Sequence, residues 1–322
     1  MRRGTTCSAR WSKSRRLRST KPVSRLPSFR HVVLLGPTGS GKSAMAMAIA
    51  QANREFEIVS VDAMCVYRGM DIGTAKPTAA DRNDVRHHLV DVVDPSEDYS
   101  LPLFQADCAA AVNDIETRGK RALLVGGTGL YVRAAVDGLD VPPRFPDVVA
   151  ELETEPDTAA LHARLVAADP HAATKMEPNN RRRVVRALEV CIGSGRPFSS
   201  YGPGLDAYGP TPFRLVGVWP SRTGLTQRLE SRFAAMMEAG FLDEVRTLAA
   251  RDVSRTARQA LGYRQLFEHV ESGRPLADCV EEAVRATVQF ARRQRVWFRR
   301  DPRVAWLDGG CDLRALAGRQ DW

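Results

Sequence analysis

The segment HVVLLGPTGSGKS, residues 31–43, decides the fold. An apolar run, Val32–Leu35, stops at Gly36-Pro37, and helix-forming residues take over from Ser43 to Ala50. That order predicts a buried strand, a glycine-rich turn and a helix start. Gly36 to Ser43 matches the phosphate-binding pattern G-x-x-x-x-G-K-[ST] in full. Glycines let backbone N–H groups turn inward around phosphate oxygens, and the helix N-terminus adds partial positive charge. Lys42 brings a point charge, and the Ser43 hydroxyl is a candidate Mg²⁺ ligand. Gly36, Pro37, Thr38, Gly39, Ser40, Gly41, Lys42 and Ser43 therefore form a candidate polyphosphate cradle. The motif specifies a polyphosphate and not a nucleoside, so ATP and other diphosphate esters both satisfy it.

Outward from this turn, Phe56–Val61 reads as a second strand ending on Asp62, and His88–Val93 as a third. Leu103 to Arg118 has helical apolar spacing, and Ala122–Val125 is a fourth strand running into Gly126-Gly127. Strands alternating with helices predict an α/β, P-loop NTPase-like parallel sheet with flanking helices. Pro142, Pro143 and Pro146 mark a linker, followed by helical segments at 147–153, 158–168 and 180–193. Leu215–Trp219 returns to the sheet, and Thr226 to Arg300 is dominated by helix. The expected organisation is a basic extension at 1–30, a core at 31–139 and 206–310, a helical insertion domain at 140–205, and a tail at 311–322.

The 322 residues carry a net charge of +9, which suggests a nucleic-acid partner. Residues 1–30, however, hold ten basic side chains and no acid, and the rest of the chain carries 37 basic and 38 acidic groups. Global charge is thus weak evidence for RNA, and local clusters must carry it. No run of about 18 apolar residues is present, so no membrane span is expected. Six scattered cysteines argue against a zinc site or a disulfide framework and suit a reducing cytoplasm.

An NTP hydrolase or kinase usually offers a strand-terminal Asp near Mg²⁺. Here the fourth strand ends in glycines, and Asp62 is the carboxylate nearest the cradle by topology. Asp62 can be a metal ligand, a general base or a helix N-cap, and the residue pattern leaves these open.

Several blocks in series resemble the tRNA dimethylallyltransferase family. They are GPTGSGKS (36–43), VSVDAMCVYRGMDIGTAKPT (59–78), HHLVDVVDPSEDYS (87–100), GGTGLYVRAAVDGL (126–139), NNRRRVVRALEV (179–190), QALGYRQL (259–266) and TVQFARRQRVWF (287–298). The resemblance implies transfer of a prenyl group from dimethylallyl diphosphate to N6 of an adenosine beside the anticodon. It implies that the cradle holds the donor's diphosphate, with Mg²⁺ near Ser43 and Arg264 helping to hold the leaving group. Asp62 becomes the general base, and Thr128 a polar residue beside the reacting nucleotide. Asp62, Ala63, Met64, Cys65 and Thr128 would face the anticodon stem-loop. The family more often has Ser and Gln where this chain has Ala63 and Cys65. A P-loop small-molecule kinase using ATP is the alternative reading.

Two basic clusters lie outside the N-terminal extension. Arg181, Arg182, Arg183 and Arg186 share one expected helix, and Arg292 to Arg300 interleave arginines with Trp297 and Phe298. Arginines bind phosphates without reading sequence, and aromatic rings stack on splayed bases. Arg182, Arg183, Arg186, Arg292, Arg293, Gln294 and Trp297 are therefore the expected tRNA contacts. Arg292–Arg300 as a solvated face, with Trp297 in the core, is the bland alternative. No obligate protein partner is implied.

Overall fold

The computed structural model describes residues 30–219 and 224–308. Expectations for residues 1–29 and 309–322 lie outside it. Six parallel strands form one sheet: β1 (His31–Leu35), β2 (Phe56–Val61), β3 (His87–His88), β4 (Arg121–Gly126), β5 (Phe213–Trp219) and β6 (Ala305–Asp308), in the order β3-β2-β4-β1-β5-β6. All five residues of β1 are buried, as a central strand covered on both faces requires. The helices are α1 (Lys42–Ala52), α2 (Ala79–Asp84), α3 (Leu101–Thr117), α4 (Gly129–Asp137), α5 (Pro146–Glu153), α6 (Thr158–Ala168) and α7 (Pro170–Thr174). They continue with α8 (Arg181–Ser194), α9 (Leu225–Glu238), α10 (Phe241–Ala249), α11 (Arg255–Arg258), α12 (Tyr263–Ser272) and α13 (Leu276–Arg299).

The register of the sheet decides where the chemistry sits. Leu35 and Val61 are both register partners of Gly126. The residues that follow, Gly36, Asp62 and Gly127, therefore leave the sheet side by side at its carboxyl edge, where open α/β sheets bind ligands. Gly126 permits this close approach, since a Cβ there would stand 2.1 Å from the Val61 carbonyl oxygen. Under the edge, Val32, Leu34, Met45, Ile49, Ile58, Leu123 and Val216 form one apolar cluster that packs α1 onto the sheet. Burying a side chain such as Ile49 contributes about 1.5–3 kcal/mol, so the strand–turn–helix unit is firmly anchored below the turn.

Two expectations change in detail. The third strand is only His87–His88, pairing with Ile58 and Val59, and does not continue to Val93. Leu89 and Asp91 adopt left-handed φ values of 60° and 58°, which bend the chain out of the ladder despite its apolar composition. A sixth strand, β6, extends the sheet beyond β5. Four residues are too few for a period to show in the sequence.

The chain divides into two compact units, one built from residues 30–99, 107–132 and 211–308, the other from 100–106 and 133–210. The second unit has its own core, with Leu152, Leu161, Leu165, Val184 and Leu188 fully buried. Its α8 begins at the N-cap Asn180, whose side chain accepts the Arg183 amide hydrogen. Arg133 is nearly buried in this unit, donating to the Leu205 and Ala207 carbonyls at 2.6 Å and pairing with Asp137.

Candidate active site

Gly39 and Gly41 take φ values of 74° and 84°, a region that side chains rarely adopt, and so turn the loop back on itself. Gly41 is also the N-cap of α1 and supplies no side chain to cap it, so the first amides of the helix stay directed at the loop. Ser40 Oγ is buried with no hydrogen-bond partner among the described residues. These features fit an anion cradle at a helix N-terminus.

A cavity of about 890 Å³ opens at this edge. Thr38, Lys42 and Ser43 line it from the P-loop, Asp62, Ala63, Met64 and Cys65 from the end of β2, and Thr128 from the end of β4. Arg293 and Gln294 of α13 complete the set of expected residues in its wall. The expected cradle, carboxylate and nucleotide-facing threonine thus meet in one place.

Asp62 Oδ1 accepts the Met64 amide hydrogen at 2.8 Å. This turn-capping bond partly realises the N-cap alternative, although no helix starts there, and it orients the carboxylate in the cavity wall. Burial holds the Lys42 ammonium below its ordinary pKa; the Asp62 carboxylate opposes that shift and Arg232 adds to it. Burial lowers the Arg232 guanidinium as well, with Asp62 again the chief opposing charge. Burial thus disfavours the charge of both cations, Asp62 only partly offsets it, and an anionic ligand in the cavity would stabilise them further. The Cys65 thiol is pushed well above its ordinary value by burial and by the Asp62 charge, so Cys65 is not a nucleophile.

Arg232 was missed in the sequence. On α9 it shares a face with Leu229 and Phe233, and an arginine interrupting an apolar stripe is the signal that could have found it. The apolar wall of the cavity was missed too: Leu229, Phe233, Met236, Phe241 and Phe290 come from helices remote from the P-loop in sequence.

The loop from Asp62 to Pro77 is pinned at its far end. Glu244 of α10 accepts the amide hydrogens of Asp71 at 2.9 Å, Ile72 at 2.8 Å and Gly73 at 3.3 Å, and the Tyr263 hydroxyl at 2.5 Å. Lys76, with a side chain only 2% exposed, donates to the Tyr67 carbonyl, Asp71 and Asp91. Gly73 must be glycine, because a Cβ would stand 2.2 Å from the Phe241 ring.

Arg264, Arg292 and Trp297 lie outside the cavity wall. Arg264 is exposed, outside the cavity, and paired with Glu282 at 3.1 Å. Arg292 lines an open groove with Thr226, Glu230 and Arg285. Trp297 is half-buried with its indole against the Gly129 backbone, where a Cβ would come within 2.2 Å. Gln294, expected at the RNA surface, is 6% exposed and turned inward. In the helical unit, Arg182 and Arg183 are exposed, whereas Arg186 donates to the Pro142 and Pro143 carbonyls and pairs with buried Glu189 at 2.7 Å.

A family model described as IPP transferase matches residues 65–301, and one described as Isopentenyl transferase matches residues 30–92. The tRNA dimethylallyltransferase of Kineococcus radiotolerans is 46% identical over 305 residues, covering 91% of this chain and 96% of that protein. That of Streptomyces coelicolor is 45% identical over 289 residues, covering 88% and 92%. Among solved structures, the tRNA isopentenylpyrophosphate transferase of Bacillus halodurans superposes with a TM-score of 0.65 at 34% identity, covering 90% of this chain and 93% of that one. A eukaryotic dimethylallyltransferase acting on tRNA gives 0.71 at 28% identity, covering 87% and 73%. The chain belongs to the IPP transferase family, the family of the tRNA dimethylallyltransferases.

Proposed function

We propose that the protein transfers a dimethylallyl group from dimethylallyl diphosphate to N6 of an adenosine next to the anticodon of tRNA, giving N6-isopentenyladenosine and diphosphate. The observation that carries this reading is the composition of one cavity: Asp62, the cations Lys42 and Arg232, and an apolar wall including Phe233 and Phe290. A prenyl diphosphate has a charged end and an apolar end, and each finds its counterpart there.

An exocyclic adenine amine is a weak nucleophile, because its lone pair is delocalised into the ring. In the proposed step N6 attacks the allylic C1 and the C1–O bond breaks. Its electron pair leaves with the diphosphate, and the N6 proton passes to the Asp62 carboxylate. Base catalysis of this kind contributes about 10²–10⁴-fold. Lys42 and Arg232 stabilise the charge that develops on the leaving group. The apolar wall excludes water, which would otherwise capture a cation-like allylic carbon.

Among the described residues no cluster of three His, Cys, Asp or Glu side chains could cage a metal. Ser43, in the cavity wall beside Lys42, offers a hydroxyl that fits Mg²⁺ held mainly by the substrate's phosphate oxygens and water. Bound there, the ion would neutralise charge on the leaving diphosphate.

Reaching N6 requires the nucleotide to leave the anticodon-loop stack. The exposed Arg182, Arg183, Arg292 and Arg293 supply phosphate contacts for holding the RNA meanwhile. Among the described residues no helix is long and apolar enough to cross a membrane.

The test is incubation of the purified protein with dimethylallyl diphosphate, Mg²⁺ and unmodified tRNA, followed by digestion and nucleoside mass analysis. An N6-prenylated adenosine that depends on Asp62 is expected. Phosphate transfer from ATP with no prenylated nucleoside would overturn the reading in favour of a kinase.

A further inference from the structure

Gln294 sits on α13 between the exposed Arg293 and half-buried Arg295, yet it is 6% exposed. Its Oε1 accepts the Thr38 amide hydrogen at 2.9 Å, and its Nε2 donates to the Gly127 carbonyl at 2.7 Å. The orientation of the amide is unambiguous, because a backbone N–H can only donate and a carbonyl can only accept. One side chain therefore ties the third residue of the P-loop to the first residue after β4. The fit is close: a Cβ on Gly127 would stand 2.6 Å from Nε2.

The geometry points to Gln294 as a positioning residue that holds the P-loop against the β4 edge, so that the helix carrying the RNA-facing arginines sets the shape of the diphosphate cradle. Although Gln294 lies in the cavity wall, it is only 6% exposed and both ends of its amide are committed to backbone groups, which disfavours direct contact with RNA. Leu35 and Gly126 are register partners just below, so the sheet aligns the bases of the two loops. Above the sheet Gln294 is a side-chain bridge between them. The inference rests on the proposed reading of the P-loop as the donor's diphosphate site.

Three variants test it. Gln294→Met keeps the volume and removes both bonds. Gln294→Glu keeps the acceptor for Thr38, loses the donor to Gly127 and adds negative charge beside the cradle. Gly127→Ala presses on the amide from the other side, and its Cβ also meets the Gly36 carbonyl at 3.1 Å and Lys42 Nζ at 3.4 Å, so only its combination with Gln294→Met assigns its effect to the bridge. Inorganic diphosphate is the probe, measured by calorimetry and as an inhibitor competing with the donor. Gln294→Met is expected to weaken it about tenfold, equivalent to about 1.4 kcal/mol, and Gln294→Glu to weaken it further. KM for tRNA should stay within about twofold, with the main loss in KM for the donor. Gly127→Ala should reproduce the effect, and the Gln294→Met/Gly127→Ala pair should be no worse than the more severe single change, since both break one bridge.

Thermal unfolding of each variant shows whether it folds; if Gln294→Met does not, Gln294→Glu carries the test. A rise in KM for tRNA with diphosphate binding unchanged would make Gln294 an RNA contact and overturn the inference. So would additive effects in the double variant, or no change at all. Should the wild-type protein prenylate nothing, the proposed reaction fails, while calorimetry with diphosphate still decides whether Gln294 shapes the cradle.

Discussion

Asp62 Oδ1 accepts the amide hydrogen of Met64 at 2.8 Å, two residues further along the same loop. Oδ2 has no hydrogen-bond partner among the described residues. One oxygen fixes the side chain, and the other is available to a substrate proton. Asp62→Asn keeps an acceptor for Met64 and so should unfold within about 0.5 kcal/mol of the wild type. Prenyl transfer should nevertheless fall about 10²–10⁴-fold, because an amide cannot take the proton. Single-turnover kinetics with saturating donor checks this. A rate near that of the wild type would end the general-base assignment.

Glu57, at the start of β2, carries a pH prediction. Its side chain is 3% exposed and meets Arg118 at 2.7 Å, His88 at 2.8 Å and Lys120 at 3.1 Å. Burial alone would raise its pKa, but these hydrogen bonds prevail and hold it at about 2, against an ordinary value of 4.5. A depressed carboxylate stabilises the fold above its unfolded pKa and loses that contribution as pH falls through the folded one. Glu57→Gln should therefore cost about 2–3 kcal/mol at neutral pH. The gap from wild type should narrow as pH drops from 4.5 toward 2. Denaturant melts across that range measure it, and a gap that is constant with pH would show that packing, not charge, is lost.

How far the sequence could be read depended on whether the information was local. The P-loop and its two flanking elements were legible because glycines, lysine and strand–helix spacing occupy one contiguous segment. Asp62 was legible because a strand end is a place as well as a residue. Its choice between cap and base was not, because the Met64 bond and the cavity coexist. β3 was overestimated, since the apolar run His88–Val93 does not announce the left-handed φ of Leu89 and Asp91. Arg232 and Gln294 approach the cradle from helices some 190 and 250 positions later, and only the packing of α9 and α13 brings them there. Gln294 in particular lies among arginines, and its inward rotation depends on the phase of a helix whose charged residues cover several faces.

Glu244 gathers three consecutive amides and the Tyr263 hydroxyl, so its removal takes an acceptor from four donors. The Tyr263 hydroxyl is held protonated well above its ordinary range by burial and by this carboxylate, which makes it a dependable donor. Glu244→Ala should destabilise the protein by about 2–4 kcal/mol. Because the pinned segment Gly73–Pro77 lines the cavity, KM for the donor should rise as well. Glu244→Gln, which keeps one acceptor oxygen, should recover part of both effects. Equilibrium unfolding and steady-state kinetics on the two variants separate them, and equal values for Ala and Gln would deny the carboxylate its anchoring role.

The arginines of α8 look equivalent in sequence but have different surroundings. Arg182 and Arg183 are exposed, whereas the Arg186 side chain is 20% exposed and committed to Glu189 and to the carbonyls before α5. A free guanidinium can exchange counterions for a phosphate; a committed one must first break its own bonds. Removing Arg182 or Arg183 should therefore weaken tRNA binding and flatten the slope of log K against log salt by about 0.7–0.9 for each phosphate no longer neutralised. Arg186→Ala should leave that slope unchanged and instead destabilise the helical unit, because Glu189, 1% exposed, would be deprived of its closest cation. Filter binding at several salt concentrations, paired with thermal melts, tests both halves. A slope change for Arg186→Ala as large as that for Arg183→Ala would mean that the Glu189 pair opens to admit RNA.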